Sequence, residues 1–144
     1  MAIAQRSAFV NEGHPVEVDL RGVLPPVFAD PDRIEQVLGN LLANAAKYGY
    51  PNTEIQVLVT CPGTMVQVSV TNRGPGISPD DLPKLFSRFY RTSEAQNGQV
   101  SGIGLGLYIA RGWVEAHGGT IWAESIPNQE TTFHFTLPVH SKLA

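Results

Sequence analysis

The chain has 144 residues, 42% of them hydrophobic and 16% charged. That suits one compact domain with a single apolar core. Ten basic against 13 acidic side chains leave a formal net charge of −3, which argues against broad attraction to nucleic acid or membrane, so a phosphate ligand would need a local site. The lone Cys61 excludes an internal disulfide and a cysteine-based zinc cluster, and its apolar surroundings suit a small buried hydrophobe. No apolar run approaches the ~18 residues of a membrane span, and no charged-then-apolar leader opens the chain. The expected setting is reducing and cytoplasmic, even if the full-length protein is anchored to a membrane.

Residues 1–13 are polar and unpatterned, which suits a tail or the end of a preceding segment, with the domain proper over 14–144. Val16, Val18 and Leu20 alternate with Glu17 and Asp19, the pattern of a half-buried strand. Leu24-Pro25-Pro26 breaks regular structure. Asp30-Pro31 then offers an N-cap and a proline at the first helical position. From Pro31 to Tyr48 the residues Ile34, Val37, Leu38, Leu41, Leu42 and Ala45 form one stripe at helical spacing, with Gly49 as the C-cap.

Glu54 to Cys61 and Met65 to Thr71 read as strands around the turn Pro62-Gly63-Thr64. The glycine-rich Asn72-Arg73-Gly74-Pro75-Gly76 follows, and Ser78-Pro79 opens a short helix ending near Phe86. Residues 92–101 form a polar loop without periodicity. Gly102-Ile103-Gly104-Leu105-Gly106 leads into a helix through His117, stopped by Gly118-Gly119. Thr120 to Glu124 and Thr131 to Leu137 read as two further strands, giving one α/β domain.

Four places could carry chemistry. On the first helix, Asn40, Asn44 and Lys47 fall within about 60° of one another at 100° per residue, bordering the apolar stripe. Asparagine disfavours helix interiors. These amides are either solvated or backbone-tied residues beside a core, or a site for a cation and phosphate oxygens. An amide oxygen ligates a hard cation such as Mg²⁺ without adding charge beside phosphates. Gly74 and Gly76 make either an ordinary turn or a place of close ligand approach. Gly102, Gly104 and Gly106 enter a helix, where N–H groups can cradle phosphate. They lack both the preceding strand of a dinucleotide fingerprint and the Gly-Lys-Ser/Thr ending of a P-loop.

Phe86-Ser87-Arg88-Phe89-Tyr90-Arg91 interleaves aromatics with arginines. It is either a helix end anchored by aromatic burial or a hinge that aims an arginine at phosphate. The four histidines, His14, His117, His134 and His140, are scattered and lack a metal or triad spacing. His134 suits a strand surface and His117 a helix C-terminus.

In order, these segments resemble the ATP-binding catalytic domain of bacterial sensor histidine kinases, within the GHKL ATPases. Asp32 to Tyr48 resembles the N box and Asn72 to Ile77 the G1 box. Phe86 to Arg91 resembles the F box and Gly102 to Leu107 the G2 box. Glu115 to Ser125 and Thr131-Thr132-Phe133 share the family pattern, so the resemblance runs from about His14 to Val139. It implies an α/β (α+β) two-layer sandwich, a mixed five-stranded sheet on three helices.

It also implies ATP and Mg²⁺ as ligands. Asn44 would hold the metal with Asn40 beside it, Lys47 would approach the phosphates, and Tyr48 would pack on the nucleotide. Gly74 and Gly76 would border the adenine, with Ile77 and Leu107 as apolar walls. Residues 92–101 would be a mobile ATP lid, with Gly102, Gly104, Leu105 and Gly106 letting it wrap the phosphates. Arg88, Tyr90 and Arg91 of the F box join the expected site, as do Thr131 and Thr132 beside the adenine.

Two departures stand out. Asn72 occupies a position that is usually Asp, whose carboxylate accepts from the adenine amino group; an amide is a weaker, neutral acceptor. Asn128-Gln129-Glu130 stands where glycines often precede Thr-Thr-Phe. No histidine here is followed by Glu or Asp, as the family's phosphoacceptor is. The implied partner is therefore a dimerisation and phosphoacceptor domain of the same kinase, and through it a response regulator. The isolated chain is expected to be monomeric, without nucleic-acid or membrane contacts. The alternative readings are a nucleotide-binding regulatory module without kinase activity, or another GHKL ATPase or serine kinase.

Overall fold

The computed structural model describes residues 14–87 and 106–140. Five strands form one mixed sheet: β1 (Val16–Leu20), β2 (Ile55–Thr60), β3 (Met65–Arg73), β4 (Ile121–Ile126) and β5 (Glu130–Pro138), in spatial order β1-β2-β3-β5-β4. β1 runs parallel to β2, and every other pairing is antiparallel. The parallel pair needs a long connection, which carries α1 (Pro31–Tyr48). A second helix, α2 (Gly106–Ala116), precedes β4.

α1 starts and ends where its sequence dictates. The Asp30 carboxylate accepts from the backbone amides of Asp32 and Arg33 at 3.0 and 3.4 Å, satisfying amides that the first turn leaves open. Gly49 closes the helix with extended backbone (φ −79°, ψ 155°) rather than the left-handed cap. Val37, Leu38, Leu41, Leu42 and Ala45 are buried, as their spacing requires.

The helices cover one face of the sheet. Ile55, Val57, Val59, Val70, Phe133, Phe135 and Leu137 meet the α1 stripe and Ala110 and Val114 of α2 in one core. Phe86 packs edge-on against Phe133, ring centroids 6.3 Å apart. Burying such side chains contributes about 1.5–3 kcal/mol each.

Three local expectations are corrected. The short helix expected from Ser78 to Phe86 is confined to a 3-10 turn over Leu82–Lys84. The Leu82 amide still reaches four residues back, to Ser78, but Lys84 and Ser87 reach only three, to Asp81 and Lys84, and Pro83 has no amide hydrogen to continue an α-helical ladder. Leu20 is 48% exposed at the end of the edge strand, where neither helix reaches it. Cys61 is half-buried, its thiol donating to the Gly63 carbonyl at 3.3 Å. Among the described residues no helix is long and apolar enough to cross a membrane.

Candidate functional site

The core face of the sheet is apolar except at one end. There the register lines up Ile55 with Asn72, Asn72 with Thr131, and Thr131 with Ser125. Asn72 is 2% and Thr131 3% exposed. The Ser125 and Thr131 hydroxyls lie 3.3 Å apart, and Ser125 Oγ accepts the Ile77 amide at 2.8 Å. Asn72 is different: among the described residues, neither its amide nitrogen nor its amide oxygen has a hydrogen-bond partner. An unmade hydrogen bond at a buried group costs about 1–3 kcal/mol, so this amide marks a place where a polar ligand group fits.

The glycine turn after β3 is wedged over this row. The Gly74 amide donates to the Gln129 carbonyl at 3.1 Å, and the Asn128 amide to the Pro75 carbonyl at 2.9 Å. A Cβ on Gly74 would stand 2.5 Å from the Tyr48 carbonyl oxygen, so only glycine lets the turn meet the end of α1 so closely. Gly76 has φ +83°, and a Cβ there would lie 2.6 Å from Ser125 Oγ. The Asn128-Gln129-Glu130 departure is accommodated because its contacts to the turn are made by backbone. Asn128 itself takes φ 61°, which asparagine tolerates better than most side chains.

The opposite end of the α1 edge meets α2. Asn40 Nδ2 donates to the Gly106 carbonyl at 3.0 Å, and Asn44 Nδ2 to the Asn40 carbonyl at 2.9 Å. A carbonyl only accepts, so these bonds fix which way each amide faces and leave its Oδ1 as the remaining acceptor. A Cβ on Gly106 would lie 3.9 Å from Asn40 Cγ and 4.0 Å from Asn44 Nδ2. The backbone-tied reading of these asparagines is what the structure shows for their NH₂ groups.

α1 thus links the two glycine segments. Asn40 and Asn44 abut Gly106, and Tyr48 abuts Gly74. Along that edge Lys47 is exposed and Tyr48 half-buried, while Ile77 is buried and Leu107 packs against the core. Thr132 does not join the group. It alternates to the far face of the sheet, where its hydroxyl pairs with that of Thr71 at 2.9 Å. Adjacent strand residues point to opposite faces, so only Thr131 shares a face with Asn72. Arg88, Tyr90, Arg91, Gly102, Gly104 and Leu105, with residues 92–101, lie outside the described residues.

Ser125 was not singled out in the sequence, yet it ties Ile77, Thr131 and the Gly76 turn together. Its position two residues beyond Ala123 on a core-facing alternation was the available signal. The histidines are structural. His117 donates from Nδ1 to the Trp113 carbonyl at 2.7 Å and accepts the Asp30 amide on Nε2 at 3.1 Å. His134 lies 2.7 Å from Ser69 Oγ and 2.8 Å from Glu124 Oε1, stacked on Trp122.

Two amide oxygens thus lie beside the start of α2, with an unpaired buried amide at the far end of the same edge, a donor set that suits a polar, phosphate-bearing ligand. Residues 29–141 match the family described as histidine kinase-, DNA gyrase B-, and HSP90-like ATPase. The catalytic domain of histidine kinase ThkA superposes with a TM-score of 0.78 at 33% identity, covering 95% of this chain and 90% of that one. Full-length ShkA in complex with AMPPNP superposes with a TM-score of 0.80 at 27% identity, over 95% of this chain and 28% of that one.

The adaptive-response sensory kinase SasA of Prochlorococcus marinus is 36% identical over 135 residues, 93% of this chain and 35% of its own length. The sensor histidine kinase WalK of Bacillus subtilis is 43% identical over 111 residues, 76% of this chain and 18% of its own. The chain therefore spans about a third or less of these relatives. It belongs to the histidine kinase-, DNA gyrase B-, and HSP90-like ATPase family, and within it to the catalytic domains of sensor histidine kinases.

Proposed function

We propose that the chain binds Mg-ATP along the α1 edge and supplies the γ-phosphoryl group to a histidine on a dimerisation domain outside this chain, in two-component signalling. The observation that carries this reading is the fixed orientation of Asn40 and Asn44, whose NH₂ groups are spent on backbone carbonyls. Their Oδ1 atoms fit a hard, oxygen-seeking cation. When bound, Mg²⁺ neutralises phosphate charge and thereby eases phosphoryl transfer.

The residues of this chain position and enclose. Asn44 holds the metal, with Asn40 beside it, and Lys47 adds positive charge one turn on. Gly106 lets the start of α2 approach the phosphates, and Arg88 and Arg91 add cationic charge from the F box. Tyr48, Tyr90, Ile77 and Leu107 wall the base and sugar. Gly74 and Gly76 border the base, and Asn72 and Thr131 face its polar edge. By the family resemblance Gly102, Gly104 and Leu105 would serve the phosphates; they lie outside the described residues. Catalysis of this kind is positioning and electrostatics, with no covalent step on the protein.

The test is to mix the chain with Mg-ATP and a purified dimerisation domain and to look for acid-labile phosphohistidine. Transfer supports the proposal; nucleotide binding without transfer favours a regulatory nucleotide module, the reading that Asn72 keeps open.

A further inference from the structure

We infer that Asn72 relaxes the choice of base, so that the site accepts 6-keto purine nucleoside triphosphates as well as ATP. This rests on the nucleotide reading above and deepens it. The two kinds of asparagine in the site differ in a way that decides it. Asn40 and Asn44 are pinned by NH₂-to-carbonyl bonds of 3.0 and 2.9 Å. Asn72 is pinned by nothing: both ends of its amide are without a partner, at 2% exposure.

A free amide has two orientations related by a half-turn about χ2. One presents an acceptor at a given point, and the other presents a donor there. A 6-amino purine offers N–H at C6 and needs the acceptor. A 6-keto purine offers C=O at C6 and needs the donor. The same side chain can present either end to a base, because among the described residues no hydrogen bond holds its amide in one orientation. Its two strand partners offer no competing hydrogen bond. Ile55 pairs on one side, and on the other the Thr131 hydroxyl is engaged with Ser125.

A carboxylate in this place would be acceptor-only. It would take the amino group and meet the keto oxygen with repulsion. Sites that hydrogen-bond a substrate group reject analogues that leave the buried partner unpaired. Asn72 removes that ground of rejection.

The probe is inosine triphosphate, which carries the 6-keto group without the 2-amino group of guanine. Dissociation constants of Mg-ATP and Mg-ITP are measured on this chain by calorimetry at one salt concentration, and again on Asn72→Asp. The expected result is an ITP:ATP ratio within about tenfold for the wild type, widening to about a hundredfold or more in the variant. A wild-type ratio of a hundredfold or more overturns the inference while leaving ATP binding intact. Absence of binding by either nucleotide overturns the nucleotide reading itself, and this inference with it. The wild-type ratio is decisive alone if a buried carboxylate prevents the variant from folding.

Discussion

Asn40 and Asn44, on adjacent turns of one helix, each commit an NH₂ group to a backbone carbonyl. Because Asn44 Nδ2 donates to the Asn40 carbonyl, Asn44 Oδ1 is the atom left for a cation. Asn44→Ala is expected to weaken nucleotide binding about tenfold or more in magnesium, and far less in EDTA, when a non-hydrolysable ATP analogue is titrated. Equal loss in both buffers would remove the metal role from this residue. At the other end of the edge, Asn72→Asp restores a charged acceptor for the adenine amino group and should tighten ATP by about 1 kcal/mol. The same change buries a carboxylate where Asn72 has no partner, so the ligand-free protein should unfold earlier in urea. Asparagine binding ATP much more tightly than aspartate would contradict the first expectation.

Among the elements, glycines separate those held by close contact from those held by propensity. A Cβ on Gly119 would sit 1.8 Å from the Thr136 carbonyl oxygen, whereas one on Gly112 within α2 would meet nothing within 4 Å. Gly119→Ala should therefore cost about 3 kcal/mol or more by overpacking, and Gly112→Ala should stabilise by about 0.5–1 kcal/mol through helix propensity. Urea midpoints of the two variants, read by circular dichroism, should move in opposite directions. The edge strand β1 carries an electrostatic weakness. The Glu54 carboxylate holds the fully exposed Glu17 carboxyl above its ordinary range, by charge repulsion and a hydrogen bond. A raised carboxyl pKa means that the folded state binds more protons, so this contribution to stability is present at low pH and is lost as pH rises through the folded pKa. Glu17→Gln should raise the melting temperature at pH 7 and leave it unchanged at pH 3; a shift of the same size at both would point to packing instead.

For the molecule as a whole, one core serves both layers. Phe133 is 2% exposed within that core and meets Phe86 edge-on. Phe133→Ala should cost about 3–5 kcal/mol, a large share of the roughly 5–15 kcal/mol that holds a domain of this size. Its urea midpoint should fall sharply, while Thr132→Ala on the far face should leave nucleotide affinity within about twofold of wild type. A large loss of affinity in Thr132→Ala would mean that the far face takes part in binding after all.

The sequence by itself determined the elements and their order. The Asp30-Pro31 start of α1, its apolar stripe, the strand alternations and the glycine segments all depend on residues near one another in the chain, so local periodicity and turn chemistry reveal them. The ordered motifs were legible for the same reason, and the family followed from them. Tertiary structure decided the rest. Which of Thr131 and Thr132 faces the helices depends on register across β3, β5 and β4. The place of Ser125 under the glycine turn and the isolation of the Asn72 amide join residues some fifty apart. Contacts of that kind exist only once the sheet has closed, because a buried group's partners, or its lack of them, are set by neighbours that the chain order does not list.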